Sequence, residues 1–445
     1  MRARLFPLLL ILLAAATAPA AAVTIQTVRS PGGIEAWLVE DRTQPILSIA
    51  LSFRGGATQD PVGREGASDV MADLMTEGAG DFDGDAFRAR LEEIATTVSF
   101  AAGRDTIDAR FRTLSRYRAE ALAMLRLALT APRFDQSALD RTRAQHLASI
   151  ARSETAPGSI AQRTWWRIAF PSHVYGRRGS GTAESIRAVT TDDVRAAWRD
   201  QIALDTLRIG VVGDIDAATL AQLLDGLFEG LPATARLAPT PPVSADGMGE
   251  VVIVEQDQGQ SVVTFGAPGI KRDDPDFEAA HLVNHILGGG GFSARLMQAV
   301  RERAGLAYSV STGLATLDAT GVLQGSVATT NAAVARSIEL IRAEFARMAA
   351  EGPTAQELAD AKAAVIGSFA LSLDSTSRIA GFLVALQRDK LGTDYIQRRP
   401  ERFGRVTLDD ARRVAARLFD PAKLSFVIVG KPRDLTATRS APSPG

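Results

Sequence analysis

The second half of this chain repeats the first, and that repeat limits the fold more than any other feature. Asp192-Asp193, a helix pattern and the apolar run Leu207-Arg208-Ile209-Gly210-Val211-Val212-Gly213 close the first half. Asp409-Asp410, a helix pattern and Leu424-Ser425-Phe426-Val427-Ile428-Val429-Gly430 close the second, 217 residues further on. Nearer the start of each half, Ala67, Val70, Met71, Leu74 and Met75 fall on Ala279, Leu282, Val283, Ile286 and Leu287 at an offset of 212. One α+β unit is therefore used twice. The Pro-rich stretch Pro239-Thr240-Pro241-Pro242 separates the copies. This predicts domains over 23–236 and 250–432, joined by a linker at 237–249. Two such units facing each other enclose a cavity.

Within the first copy, strands are expected over Thr24 to Val28, Ala36 to Val39 and Ile46 to Phe53. Gly55-Gly56 ends the third strand. A helix is expected from about Glu65 to Glu77, with Ala67, Val70, Met71, Leu74 and Met75 on its buried face. More helix is expected over Ala86 to Ile94, then a strand pair around Thr97 to Ala102 and Thr106 to Phe111. Helices through Ala119 to Leu129 and Ser137 to Ala151 complete this reading.

The first residues assign a compartment. Arg2 and Arg4 precede an apolar run from Leu5 to Ala16, and Ala20-Ala21-Ala22 supplies an A-x-A cleavage site. Residues 1–22 read as a secretory signal peptide, too short for a comfortable membrane span. Its removal leaves 48 Lys+Arg against 51 Asp+Glu, a balance that gives no footing for nucleic acid. Cysteine is absent, which excludes disulfides, thiolate metal sites, cysteine nucleophiles and a lipid anchor at the cleavage point. A soluble periplasmic protein with no membrane association after cleavage is expected. The segment after Pro432, rich in Ser, Thr and Pro, is expected to lack order.

The densest chemical signal lies in the second copy. Gly288-Gly289-Gly290-Gly291 ends one apolar helix pattern, and Phe292-Ser293-Ala294-Arg295-Leu296 opens another that runs through Arg301 to Gly305-Leu306-Ala307-Tyr308-Ser309. Arg301 and Tyr308 stand seven residues apart across that break. A guanidinium fork and a phenol so placed can grip a peptide carbonyl or a terminal carboxylate. The glycines lack the lysine of a phosphate-binding loop, so they read as a helix cap or a backbone contact.

In its order (Gly cluster, Phe-Ser-x-Arg-Leu, Arg, then Gly-Leu-Ala-Tyr), this stretch resembles the Gly-rich loop and Arg…Tyr pair of M16 (insulinase/pitrilysin-type) zinc peptidases, especially the two-chain bacterial kind. The resemblance covers the mature chain. It implies two homologous α/β-sandwich domains, each with a mixed, mainly antiparallel sheet flanked by helices, forming half of a clamshell. It assigns substrate contact to Arg301, Tyr308, Gly289, Gly290, Gly291 and Phe292.

Active members carry His-x-x-Glu-His on the first long helix of the N-terminal half, two histidines binding zinc and the Glu activating water. The matching run here is Asp69-Val70-Met71-Ala72-Asp73, and Ser149 takes the place of the third ligand. Asp69 and Asp73 replace both histidines, and Ala72 cannot take a proton. The two carboxylates read as a polar helix face toward solvent or a wet cavity. The second copy places His281-Leu282-Val283-Asn284-His285 over the same positions, with Asn284 where the base belongs and Ser368 where a third ligand would come. Their register puts both imidazoles off the apolar face, which makes His281 and His285 the metal candidates of this chain, weaker than a reading as polar cavity-wall or surface residues. His146 and His173 stand alone in the sequence and receive no metal role. Trp165-Trp166 and the run Phe170 to Gly176 also resemble the family and read as structural.

The resemblance thus implies a chain that binds no cofactor itself and holds substrate peptide for an HxxEH-bearing partner, as heterodimer or heterotetramer, with zinc on the partner. A binding or scaffold protein with no part in proteolysis is the alternative. No G-x-S-x-G elbow supports a separate hydrolase.

Overall fold

The computed structural model describes residues 23–245 and 248–442. The expected signal peptide, residues 1–22, lies outside them. The first copy builds a sheet from β1 (Gln26–Arg29), β2 (Glu35–Glu40), β3 (Ile46–Arg54), β6 (Thr97–Ala102), β7 (Thr106–Leu114) and β8 (Arg208–Gly213). Its order is β1-β2-β8-β3-β7-β6, with a small ribbon of β4 (Gly78–Ala79) and β5 (Phe82–Asp83) beside it. The second copy builds β11-β12-β10-β13-β9 from β9 (Val251–Glu255), β10 (Gln260–Pro268), β11 (Ala307–Thr316), β12 (Gly321–Thr330) and β13 (Ser425–Gly430). β2 runs parallel to β8 and β13 to β9; the other pairings within these two sheets are antiparallel. This is the mixed, mainly antiparallel architecture expected.

The central strands read as unbroken apolar runs rather than alternating ones, because both sheet faces are covered. In β3 every residue from Ile46 to Phe53 is buried. One face of each sheet packs on helices of its own copy. The other face is covered by a helix from the opposite copy. Helix Thr376–Arg388 lays Ile379, Ala380 and Leu383 on Trp37, Val39, Ala50 and Val212 of the first sheet. Reciprocally, helix Pro157–Ala169 lays Trp165 and Trp166 on Val252, Val427 and Val429 of the second. The sequence boundaries at 236 and 250 therefore mark copies of the unit, not self-contained bodies. Both crossings need a glycine. A Cβ on Gly210 would lie 2.3 Å from the Ala380 carbonyl oxygen, and one on Gly266 2.5 Å from the Trp165 ring.

A polar joint reinforces the exchange. The buried Tyr175 hydroxyl donates to Asp105 at 2.9 Å and accepts from the Ala319 amide at 3.0 Å, while the Asp318 amide donates to Asp105 at 3.1 Å. Arg104 stacks 4.0 Å over Trp166 and donates to the Tyr175 carbonyl. The run Phe170 to Gly176 is thus a structural seam. Within the described residues 433–442, the expectation of disorder after Pro432 is corrected. Thr438 bonds Val251 through both its amide and its hydroxyl at 2.8 Å, and Leu435 packs on the second core. This tail covers the edge strand β9, whose free backbone groups would otherwise be open to pairing.

Candidate functional site

Helix Ala67–Leu74 is shorter than the expected Glu65 to Glu77, and its start explains why. Gly66 takes φ +93°, and Asp60 receives the Gly66 amide at 2.7 Å and the Ser68 amide at 2.9 Å. A carboxylate there satisfies open amides and meets the positive end of the helix. Burial nevertheless pushes Asp60 up to about 6. The helix turns Val70, Met71, Ala72 and Leu74 into the first core. Ala72 is 1% exposed, so the place of the base is packed with hydrocarbon rather than open to a pocket.

Asp69 and Asp73 line a pocket of about 370 Å³ with Gln145, His146, Ser149 and Arg178. They do not simply face solvent. His146, on helix Gln136–Thr155 one turn before Ser149, sits between them. Its Nε2 lies 2.8 Å from Asp73 Oδ2 and its Nδ1 3.9 Å from Asp69 Oδ2. The hydrogen bond to Asp73 raises the His146 pKa above its ordinary value, against the opposing effect of burial. His146 thus has partners, which the sequence did not reveal because 73 residues separate it from Asp73.

Zinc does not fit this cluster. His146 Nε2 is already taken up by the hydrogen bond to Asp73. Ser149 adds a neutral hydroxyl, and no water-activating base is present. Among the described residues no group of three or more His, Cys, Asp or Glu is arranged for a metal ion.

The cluster predicts a pH dependence. A histidine with a raised folded pKa contributes its full stability below the unfolded value of about 6.5 and loses it as pH rises through the folded value. His146→Gln should therefore cost about 0.5 kcal/mol near pH 6, discounted for the exposure of Asp73, and less near pH 9. Thermal denaturation of both proteins at the two pH values checks this. An equal deficit at both would remove the ion-pair assignment.

His281 and His285 belong to no group of three or more metal-ligating side chains among the described residues. His281 ends up half-buried between Phe277 and Phe403, with ring centroids 6.3 and 5.5 Å away, and desolvation lowers its pKa to about 4. The His285 amide still bonds the His281 carbonyl, and the helix Phe277–Asn284 then passes into a π-helical turn, His285–Gly289. Ser368 opens a short 3₁₀ turn and is exposed.

The glycine run serves close approach. A Cβ on Gly288 would meet Thr312 Oγ1 at 2.3 Å. Beside it Thr312 donates to Asn284 Oδ1 at 2.8 Å, which locks the turn to β11. Gly289 and Gly290 pass close to Asn284 and His285, and Gly291 takes φ +63°. Phe292 follows, 61% exposed, at the turn Gly291–Ser293. Gln298 Nε2 donates to the Phe292 carbonyl at 2.7 Å. The apolar pattern after Leu296 forms π-helical turns, Met297–Arg303, rather than a plain α-helix.

Arg301 leaves these turns between two rings. Its guanidinium lies 4.5 Å from the Phe292 centroid and 5.0 Å from that of Tyr308, which is 83% exposed. The nearest carboxylate, Glu302, is 3.4 Å from Nε. Cation–π contact on both sides holds the fork in place at little cost in new ordering. Below it, Arg295 makes a bidentate bond to Glu357 at 2.7 Å and donates to the Gly352 carbonyl. This pair holds Glu357 down at about 2. The result is an exposed aromatic–Arg–aromatic stack on a rigid base. Tyr308, Arg301 and Phe292 come together as the sequence order suggests, and the Arg295–Glu357 anchor adds what spacing could not show.

A duplicated sheet-and-helix unit whose motif helix lacks both metal ligands and base defines a metallopeptidase fold without its chemistry. Residues 36–180 match the model of insulinase, peptidase family M16, and residues 188–365 that of the peptidase M16 inactive domain. The chain belongs to the M16 family as a non-catalytic homologue. It is 28% identical to the non-peptidase homolog YmxG of Helicobacter pylori over 76% of this chain and 78% of that protein. An uncharacterized zinc protease of Streptomyces coelicolor is 28% identical over 70% and 69%. The crystal structure of a peptidase M16 inactive domain from Pseudomonas fluorescens superposes with a TM-score of 0.86 at 28% identity, covering 93% of this chain and 99% of that one.

Proposed function

We propose that this chain is the substrate-binding subunit of a periplasmic M16 zinc metallopeptidase, acting with an HxxEH-bearing partner that holds the zinc. The observation that carries this reading is the Phe292–Arg301–Tyr308 stack. It presents a preorganised hydrogen-bonding fork to solvent in a chain whose own motif helix can neither bind metal nor activate water. Scaffolding alone has no need of such a fork. The partner's metal centre would do the bond cleavage, and this chain would hold the peptide in register. Contacts of that kind raise turnover as well as affinity, because they fix the reacting geometry.

Co-purification tests the reading. The tagged mature chain, isolated from periplasmic extract of its own cells, is expected to bring down a chain of similar size bearing intact His-x-x-Glu-His at about one to one. The joined pair, and neither chain alone, should cleave peptides. Recovery of this chain by itself would move it to the binding or scaffold class.

A further inference from the structure

A pocket of about 410 Å³ lies where the two copies meet, beside the C-terminal end of the exchanged helix Thr376–Arg388. Arg54 and Arg208 reach it from the first copy, and Lys271, Arg272, Arg388 and Lys390 from the second. Only three carboxylates share the lining: Asp273, Asp318 and Asp389. Each of these is already paired. Asp318 lies 3.4 Å from Arg54, Asp273 3.6 Å from Lys271, and Asp389 3.8 and 3.6 Å from Arg272 and Arg388.

Positive charge is left over. Among the described residues, no ion pair is formed by Arg208 or Lys390; Arg208 donates instead to the Leu207 carbonyl at 2.8 Å. Arg272 is nearly buried, and its Nη1 has no hydrogen-bond acceptor, with Glu278 3.9 Å away. Lys390 also holds a left-handed backbone, φ +55°, that a glycine would adopt more easily. The lining thus carries more cations than carboxylates, and a planar guanidinium fork matches an oxyanion. The carbonyl end of the helix weakly disfavours an anion, but the adjacent Arg388 and Lys390 oppose that field.

We propose that this pocket binds a small multivalent oxyanion, a phosphate ester or a polycarboxylate, held jointly by Arg208, Arg272 and Lys390. The site uses neither the motif helix nor the Arg301 stack, so it stands apart from the peptide-binding reading. Because both copies supply ligands, occupancy should also stiffen their junction.

Isothermal titration and thermal denaturation of the purified chain test this, with inorganic pyrophosphate and citrate as separate probes and ionic strength matched by sodium chloride. Saturable one-to-one binding of at least one probe is expected, together with a raised Tm. Pyrophosphate alone would indicate a phosphate ester, citrate alone a polycarboxylate, and both the shared oxyanion chemistry. In Arg208→Gln with Lys390→Gly the affinity should fall about tenfold or more, equivalent to about 1.4 kcal/mol. Lys390→Gly suits the left-handed backbone, so that single variant keeps the fold and should still weaken binding. Unchanged affinity in the variants, or heat that disappears at matched ionic strength, would overturn the proposal.

Discussion

Replacing Trp165 by alanine is expected to lower unfolding stability by about 3–5 kcal/mol, as for other large aromatic truncations in closed cores. Trp165 is fully buried, yet it belongs to the first copy and lies on the sheet of the second. Its ring fills the space left by the missing side chain of Gly266. Truncation would empty that space, and neighbours on a rigid sheet cannot collapse into it. The loss should also loosen the coupling of the two copies, so that denaturant unfolding broadens or splits into two steps. Gly266→Ala attacks the same contact from the sheet side by overpacking, with an expected cost of about 1–3 kcal/mol. Chemical denaturation followed by circular dichroism gives both values. A Trp165→Ala deficit under about 1 kcal/mol would mean that the exchanged helix contributes little to cohesion.

In the proposed two-chain peptidase, Arg301→Ala should reduce kcat/KM about a hundredfold while leaving co-purification of the partner unchanged. The guanidinium is the one group in the stack able to offer two parallel N–H bonds to a carbonyl or carboxylate. Arg301→Lys should recover little, since an ammonium keeps the charge but neither stacks flat between Phe292 and Tyr308 nor forks. Tyr308→Phe keeps the stacking ring and removes the hydroxyl, so a smaller loss of about tenfold or less is expected. Peptide cleavage by the purified pair, with kcat and KM determined separately, reads these effects. Wild-type cleavage by the Arg301→Ala pair would leave the stack without a role in proteolysis.

Much of the architecture was legible because the copies share one apolar pattern, and buried strands announce themselves by length. Ile46 to Phe53 was placed to within a residue of β3. The helix exchange was not legible. Trp165-Trp166 reads as structural, but packing aromatics do not announce which sheet buries them. At the motif helix, Asp69, Ala72 and Asp73 told the sequence that metal chemistry was gone. They could not tell it that His146 had come between the carboxylates, since that contact depends on the packing of two helices. The Arg301–Tyr308 pairing was visible from family order, whereas the π-helical turns Met297–Arg303 that carry Arg301 have no such signature in the sequence. The tail after Pro432 misled for a similar reason. Its composition is that of an unstructured segment, but β9 offered it an edge to pair with.

The exchanged helices also set an order of events for a chain made from its N-terminus. When the first copy has emerged, Trp37, Val39, Ala50 and Val212 form a bare apolar sheet face, because the segment that covers them, Thr376–Arg388, has yet to appear. At the same stage, helix Pro157–Ala169 exposes Trp165 and Trp166 with no sheet to receive them. Neither copy can finish alone, so the last commitment to the native state is a mutual one. Until then, two sticky surfaces are on display, which is the period when a holdase or a premature partner would find this protein.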